Sequence, residues 1–377
     1  MDFRYTITEN AAIILQYTGS AEEVAVPERI EDRPVNQIGA SAFAWNDRIA
    51  RVHLPETLRA IGDKAFYNCR ALRSVEIPGS VASIGDDAFN FCTNLRAISI
   101  PDSVAEIGRE AFARCDQLRT VFLGSGLRHL GEGAFYCDDA LEAFVVDPDN
   151  PTYEARDGVL FERGCAALVQ YPNARQGAEY AVPEDVRTIG YGAFAWNQGL
   201  QSVTLPDGIE SVGNEAFQYA QIRSFTFGKN LRAIGRCAFE HCAQLGDVCF
   251  PDLLKYIGEA AFCQCPSMRE IRIPDGVISI GAHAFQLCTG VTEVFIGKGT
   301  SFIGSRAFSG TSYTKPGNQM QIRRFTVLNR TVPIDVYTFD FNPRIELFGY
   351  ADNVTLRARA GSTMTFRAIP CADFQSA

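Results

Sequence analysis

Residues 92–114 read CTNLRAISIPDSVAEIGREAFAR, and this stretch decides the fold because its parts recur along the chain. Leu95, Ile98 and Ile100 form a short β-branched run with alternation, which predicts a strand. Pro101 follows at once and cannot extend a ladder, so the strand ends there. Val104 and Ile107 turn apolar side chains inward again. Gly108 stands where a tight turn or a close backbone approach would exclude a Cβ. Ala111 and Phe112 then close the unit, and the pattern there predicts a short helical turn.

Working outward, the pattern Ile/Leu/Val-Gly-x-x-Ala-Phe occurs eleven times, with its aromatic at Phe43, Phe66, Phe89, Phe112, Phe135, Phe194, Phe217, Phe239, Phe262, Phe285 and Phe308. All but two of the gaps are 23 residues; one is 22, and the gap from Phe135 to Phe194 is 59, one repeat plus 36 extra residues. A unit this short cannot bury a core alone, so the units must stack as a solenoid. Strand spacing of about 4.8 Å over about fourteen rungs predicts a body on the order of 65 Å long, with the repeated Phe stacked along its convex side.

The extra residues contain DGVLFERGCAALVQYPN, two apolar strands, Val159 to Phe161 and Ala166 to Tyr171, joined around Arg163-Gly164 as a hairpin. The expected organisation is an N-terminal capping hairpin and first strand (1–26), a first repeat array (27–146), a hairpin insert (147–182), a second array (183–332), and degenerate repeats with a C-terminal cap (333–377). The insert lacks a Gly/Ser-rich linker, so the arrays on either side are expected to run on as one body, with DPDNP at 147–151 a possible kink.

The unit C/N-x-x-L-x-x-V/I-x-I/L-P-x-x-V-x-x-I-G-x-x-A-F resembles the leucine-rich repeat of the BspA-like bacterial surface-protein family, from about Val24 to Phe308. The opening FRYTITENAAIILQYTGSAEEVAVPERI is similar to that family's amino-terminal hairpin, and IELFGYADNVTLRARAGSTMTFRAI to a diverged closing segment. RTVPIDVYTFDFNPRIELFGY lacks the Gly and Ala-Phe, which leaves the register of the last rungs open. The resemblance implies an α/β-type, right-handed leucine-rich-repeat solenoid with one concave parallel sheet and short convex turns and strands. It also implies an adhesin or ligand-binding protein, cell-surface or secreted, with a cytoplasmic location as the alternative.

Cys69, Cys92, Cys115, Cys242, Cys265 and Cys288 all stand three residues after a repeat Phe, and Asn46 and Asn197 take the same position elsewhere. Exchange with Asn argues against disulfide and metal roles, and predicts buried, unpaired thiols that cap turn backbone groups. Cys263, Cys265, Cys237 and Cys242 offer no closed four-ligand set with a spaced His, so no metal or other cofactor is expected. Strand parity places Cys249 outward.

Lys+Arg 35 against Asp+Glu 44 gives a net charge of -9, which opposes a polyanion and disfavours nucleic acid as a partner. Mean hydropathy of -0.04 is that of an ordinary soluble chain. The N-terminus MDFRYTITENAAIILQYTGS has no basic segment, and its longest apolar run is too short for an export signal or a membrane span. No nucleophile elbow, zinc-protease motif or phosphate loop is present. Ser312-x-x-Lys315 matches only two residues of a nucleophile motif and reads as a solvated loop.

Two function classes follow. The first is a non-catalytic, monomeric scaffold that binds a protein or glycan and does not insert into membrane. The second is an enzyme or enzyme subunit with its site in 147–182 or the irregular C-terminal region. Parity turns two residues of each strand outward, and two places stand out. Phe122 with Val145 is an apolar spot, while Asp247, Glu270, Arg272, Glu293, Phe295 and Arg324 form a charged column with one aromatic. Exposed aromatic and Arg residues are common anchors of interfaces, which makes this column the expected partner-binding face; solvated charge that keeps an open sheet soluble is the alternative.

Overall fold

The computed structural model describes residues 2–164, 167–310, 320–335, 337–339, 345–353 and 364–369. Contacts divide the chain into two compact units, Met1–Gln176 with Tyr191–Asn197, and Gly177–Gly190 with Gln198–Ala377. Each is built from stacked rungs of the repeat.

In the first unit, Phe3–Ile7 pairs antiparallel with Ala12–Tyr17 and opens the stack as a hairpin. Each later rung contributes to two parallel ladders. One is made of the strands just before the proline: Glu23–Ala25, Arg51–His53 and Ser74–Val75, then Ala97–Ile100, Thr120–Leu123 and Ala143–Val146. The other is made of the residues just before the repeat glycine: Arg33–Ile38, Ala60–Ile61, Ser83–Ile84, Glu106–Ile107 and His129–Leu130. Gly108 is a close approach, not a turn: an added Cβ would stand 2.4 Å from the Asp86 backbone nitrogen of the rung before.

The insert forms a three-stranded meander, Tyr153–Arg156, Val159–Glu162 and Ala167–Gln170. Its second hairpin is the expected one. The first turns at Asp157-Gly158, whose φ values of 49° and 78° are those of a tight two-residue hairpin turn.

The second unit repeats the plan. Glu179–Ala181, Ser202–Thr204 and Ser224–Thr226 form one ladder, and Glu270–Ile273, Glu293–Ile296, Arg324–Val327, Ile345–Gly349 and Met364–Ala368 form another. The last two settle the register that the sequence left open, with Arg324 opposite Glu346 and Glu346 opposite Thr365. The glycine-side ladder runs through Thr188–Ile189, Ser211–Val212, Ala233–Ile234, Tyr256–Ile257, Ser279–Ile280 and Phe302–Ile303.

Two expectations are corrected. The α/β label does not hold, because no helix is present among the described residues, and Ala111-Phe112 lies in hydrogen-bonded turns instead of a helical turn. The cause is backbone conformation. Residues two before and two after the Phe have positive φ, as at Glu110 (48°) and Arg114 (57°) around Phe112 or Ala260 (53°) and Gln264 (61°) around Phe262. A left-handed residue every fourth position cannot propagate a right-handed helix. Instead, alternate N–H groups bond within the turn, as Ala65 to Gly62, and across to the following rung, as Phe66 to Ala88 at 2.7 Å.

The second correction concerns the single sheet, whose strand-side ladder is interrupted within each unit, between Ser74–Val75 and Ala97–Ile100 and between Ser224–Thr226 and Glu270–Ile273.

Inside each unit the repeated Phe rings stack nearly parallel. Centroids from Phe43 to Phe135 are 4.8–5.5 Å apart, and those from Phe217 to Phe308 are 4.9–5.4 Å apart. The rings are fully buried, with small Ala residues beside them. Such stacks add attraction beyond area burial.

Candidate functional site

The ladder thiols are structural parts. Cys92 Sγ donates to the Phe66 carbonyl at 3.2 Å, Cys115 to Phe89 at 3.4 Å, Cys242 to Phe217 at 3.0 Å and Cys288 to Phe262 at 3.0 Å. All the described cysteines are free. Burial pushes the Cys69 thiol up to about 12 and those of Cys92 and Cys115 well above their ordinary value, so the nucleophilic thiolate is suppressed. Cys165, Cys371 and the Ser312/Lys315 pair lie outside the described residues.

The same ladder position after Phe135 is Asp138, which the sequence analysis did not single out. Its Oδ1 accepts the Cys115 N–H at 2.8 Å, and Oδ2 has no hydrogen-bond partner although the residue is only 1% exposed. Burial raises its carboxyl well above the usual range, reinforced by the nearby acids Asp116 and Asp139. Those two are also raised, chiefly by desolvation, and so is Cys137. This cluster belongs to the rungs around 114–139, not to the insert. Among the described residues, no group of three or more His, Cys, Asp or Glu side chains could hold a metal ion.

The outward parity of the strand face is as read: Ala97, Ser99, Arg51 and His53 are exposed while Ile98 and Val52 between them are buried. In the first unit Phe122 stands opposite Val145, with Val145 47% exposed and Phe122 partly covered. The second unit brings the charged column together. Glu270 faces Glu293, and Arg272 faces Phe295; Glu293 faces Arg324. Within it, Arg272 pairs with Glu270 at 2.6 Å and Arg324 with Glu293 at 3.9 Å. Arg324 also lies over the Phe348 ring, 5.0 Å from its centroid.

The rung that opens this column, the one carrying Asp247, departs from the regular plan. In regular rungs the N–H that opens a strand bonds a backbone carbonyl of the preceding rung, as Arg73 to Ala50, Arg119 to Arg96 and Thr292 to Arg269. Here Asp247 Oδ1 replaces that carbonyl and accepts the N–H groups of Arg269 at 2.6 Å and Glu270 at 3.0 Å. Residues 247–250 are not part of a ladder.

A groove of about 350 Å³ opens there, lined by Asp247, Cys249, Phe250, Glu270, Arg272 and Phe295, with Val248, Ile273 and Pro274. Four of the six column residues therefore meet in one concavity, joined by the exposed Cys249 thiol, while Glu293 and Arg324 stand beside it. The groove itself had no signal in the sequence beyond an Asp at an outward position.

The repeat profile described as the BspA type leucine rich repeat region matches six copies, over residues 22–153, 176–277 and 255–327. The chain belongs to the BspA-type leucine-rich-repeat family. No curated protein sequence matches this family member. Its fold is similar to that of the pneumococcal vaccine antigen PcpA (18% identity, TM-score 0.70, covering 98% of this chain and 97% of the other). It is also similar to a leucine-rich-repeat protein of Eubacterium ventriosum (20% identity, TM-score 0.57, 83% and 95%) and to a leucine-rich cell surface protein of Faecalibacterium prausnitzii (23% identity, TM-score 0.51, 85% and 96%). At these identities the likeness is one of BspA-type fold. No helix among the described residues is long and apolar enough to cross a membrane.

Proposed function

We propose that this BspA-type chain is a non-catalytic binding scaffold of the bacterial cell surface, and that it engages a protein partner through the strand face around residues 247–324. The observation that carries the reading is the convergence of Asp247, Glu270, Arg272 and Phe295 on one groove beside the Glu293–Arg324 pair. A concavity with an aromatic wall and a fixed polar rim has the make-up of an interface anchor point. Phe122 with Val145 is a second, smaller contact spot in the first unit. The surface-protein name of the Faecalibacterium relative supports the location.

The test is a binding screen against purified extracellular-matrix proteins and a glycan array, repeated with the double variant Arg272→Ala/Phe295→Ala. The expected result is a protein ligand whose affinity falls by about tenfold or more, equivalent to about 1.4 kcal/mol, with the thermal midpoint unchanged. Unaltered affinity of the double variant removes this face from consideration.

A further inference from the structure

We propose that the groove beside Asp247 seats a cationic side chain of the partner, a guanidinium or ammonium group whose stem lies against Phe295 and Cys249; this rests on the binding-face reading above. Charge accounting along the face leads to it. Glu270 is neutralised by Arg272 at 2.6 Å, Glu293 by Arg324 at 3.9 Å and Glu346 by Arg367 at 2.9 Å. Asp247 completes the same row of acids, yet no ion pair to it is found among the described residues. Of the acids Asp247, Glu270, Glu293 and Glu346, Asp247 is therefore the one without a counter-charge among the described residues, and it lines the groove.

The geometry fixes that charge in place. With Oδ1 held by the N–H groups of Arg269 and Glu270, the carboxylate is oriented, and Oδ2 is left for an incoming donor. Phe250, Ile273, Pro274 and Phe295 supply apolar wall. An ion pair made against apolar wall is stronger than one in open water, and aliphatic stems of Lys and Arg cover such wall while the head stays polar. Phe295 is the aromatic on the outward side of that wall, and aromatic rings attract cations over their faces. An anionic group would meet Asp247, Glu270 and Glu293 together, and a neutral apolar group would leave Asp247 uncompensated. The chain's net charge of -9 favours encounter with a basic partner as well.

The competing reading is that Asp247 acts only as a backbone cap. Asp247→Asn separates the two, since the amide oxygen still accepts both N–H groups while the charge is gone. The probe is benzamidine, an aromatic cation, with neutral benzamide as its control. The readout is the rate at which neutral iodoacetamide alkylates Cys249 in the groove, followed by peptide mapping and compared with and without probe in each protein.

In the parent chain, benzamidine at about ten times its Kd should slow Cys249 alkylation about tenfold, and benzamide at the same concentration by less than about twofold. Asp247→Asn should abolish the protection and keep its thermal midpoint. Equal protection by benzamide, or full protection of Asp247→Asn by benzamidine, overturns the proposal. Because the probe assay needs no macromolecule, it fails separately from the screen. Benzamidine protection that survives while Arg272→Ala/Phe295→Ala leaves partner affinity unaltered would sustain the cation site and discard the interface.

Discussion

The thiol of Cys92 donates to the carbonyl oxygen of Phe66 at 3.2 Å, and Cys115 repeats the contact to Phe89 one rung later. The ladder thiols are thus hydrogen-bonded and buried, and burial raises those of Cys69, Cys92, Cys115, Cys242 and Cys265 above the ordinary thiol range. Iodoacetamide should label Cys249 in the native protein and leave Cys69, Cys92, Cys115, Cys242, Cys265 and Cys288 unmodified until the chain unfolds, as read by peptide mapping. Thiol counting in denaturant without reductant should find these six free. Blocked ladder thiols would contradict the structural role.

Phe112 is fully buried between Phe89 at 5.1 Å and Phe135 at 5.5 Å. Phe112→Ala should lose about 3–5 kcal/mol of stability by chemical denaturation, as large-to-small changes in well-packed cores do. Arg109→Ala, whose exposed side chain reaches Asp86 at 3.5 Å, should stay within about 0.5 kcal/mol of the parent. Equal effects would mean that the stack is not the core.

Ala260 holds a φ of 53° while its N–H bonds the Ala282 carbonyl at 2.8 Å. Ala260→Gly should stabilise by up to about 1 kcal/mol, the relief of left-handed strain exceeding the added freedom of the unfolded chain. Ala260→Val should destabilise, because a β-branched residue fits that conformation worst. The reverse order in denaturant midpoints would show that the turn relaxes.

Asp138 gives stability a pH dependence of definite sign. Its folded carboxyl is raised above the ordinary 3.8, chiefly by burial, so between that value and the folded one the native state holds more protons than the unfolded state. Stability from this group is then fully present below about 3.8 and is lost as pH rises through the folded value. Asp116 and Asp139, also raised, act in the same direction. Asp138→Asn places at this position the residue found at Asn197, and should raise the thermal midpoint at pH 7 by relieving a buried, half-satisfied carboxyl, with the gain vanishing in acid. A gain that grows in acid would reverse the assignment.

What the sequence revealed, it revealed by repetition. The period, the Phe stack, the buried Cys position and the outward parity of Arg272, Phe295 and Cys249 each depend on a residue type that many rungs share, so eleven copies averaged out local noise. The missing helix was hidden for a physical reason: the left-handed positions carry Lys64, Glu110, Arg114 and Gln264 as readily as glycine, and only Gly133 and Gly192 betray them. Asp157-Gly158 was an open hairpin signal that the neighbouring Arg163-Gly164 turn overshadowed. The groove was illegible because it arises from a singular event, a carboxylate of Asp247 taking the place of a main-chain carbonyl, and no repeat pattern reports a substitution of atoms. Asp138 could have been found by extending the Cys/Asn register to every Phe.

The cross-rung hydrogen bonds beside the Phe stack all point one way. Lys64, Phe66 and Asn68 donate to Asp86, Ala88 and Asn90, and in the second unit Cys237, Phe239 and His241 donate to Glu259, Ala261 and Cys263. Peptide dipoles of about 3.5 D each thereby add along the stack instead of cancelling, as they do along a helix, and each unit acquires an electric axis. Its leading end presents carbonyl oxygens and its trailing end presents N–H groups, three from the rung left at the end by any cut. Buried N–H groups are orphaned less readily than carbonyls. Truncating a unit from its carboxy-terminal side should therefore be costlier than removing the same length from its amino-terminal side, and the diverged rung in which Thr338 accepts the Phe308 N–H at 3.2 Å works as an electrostatic stopper.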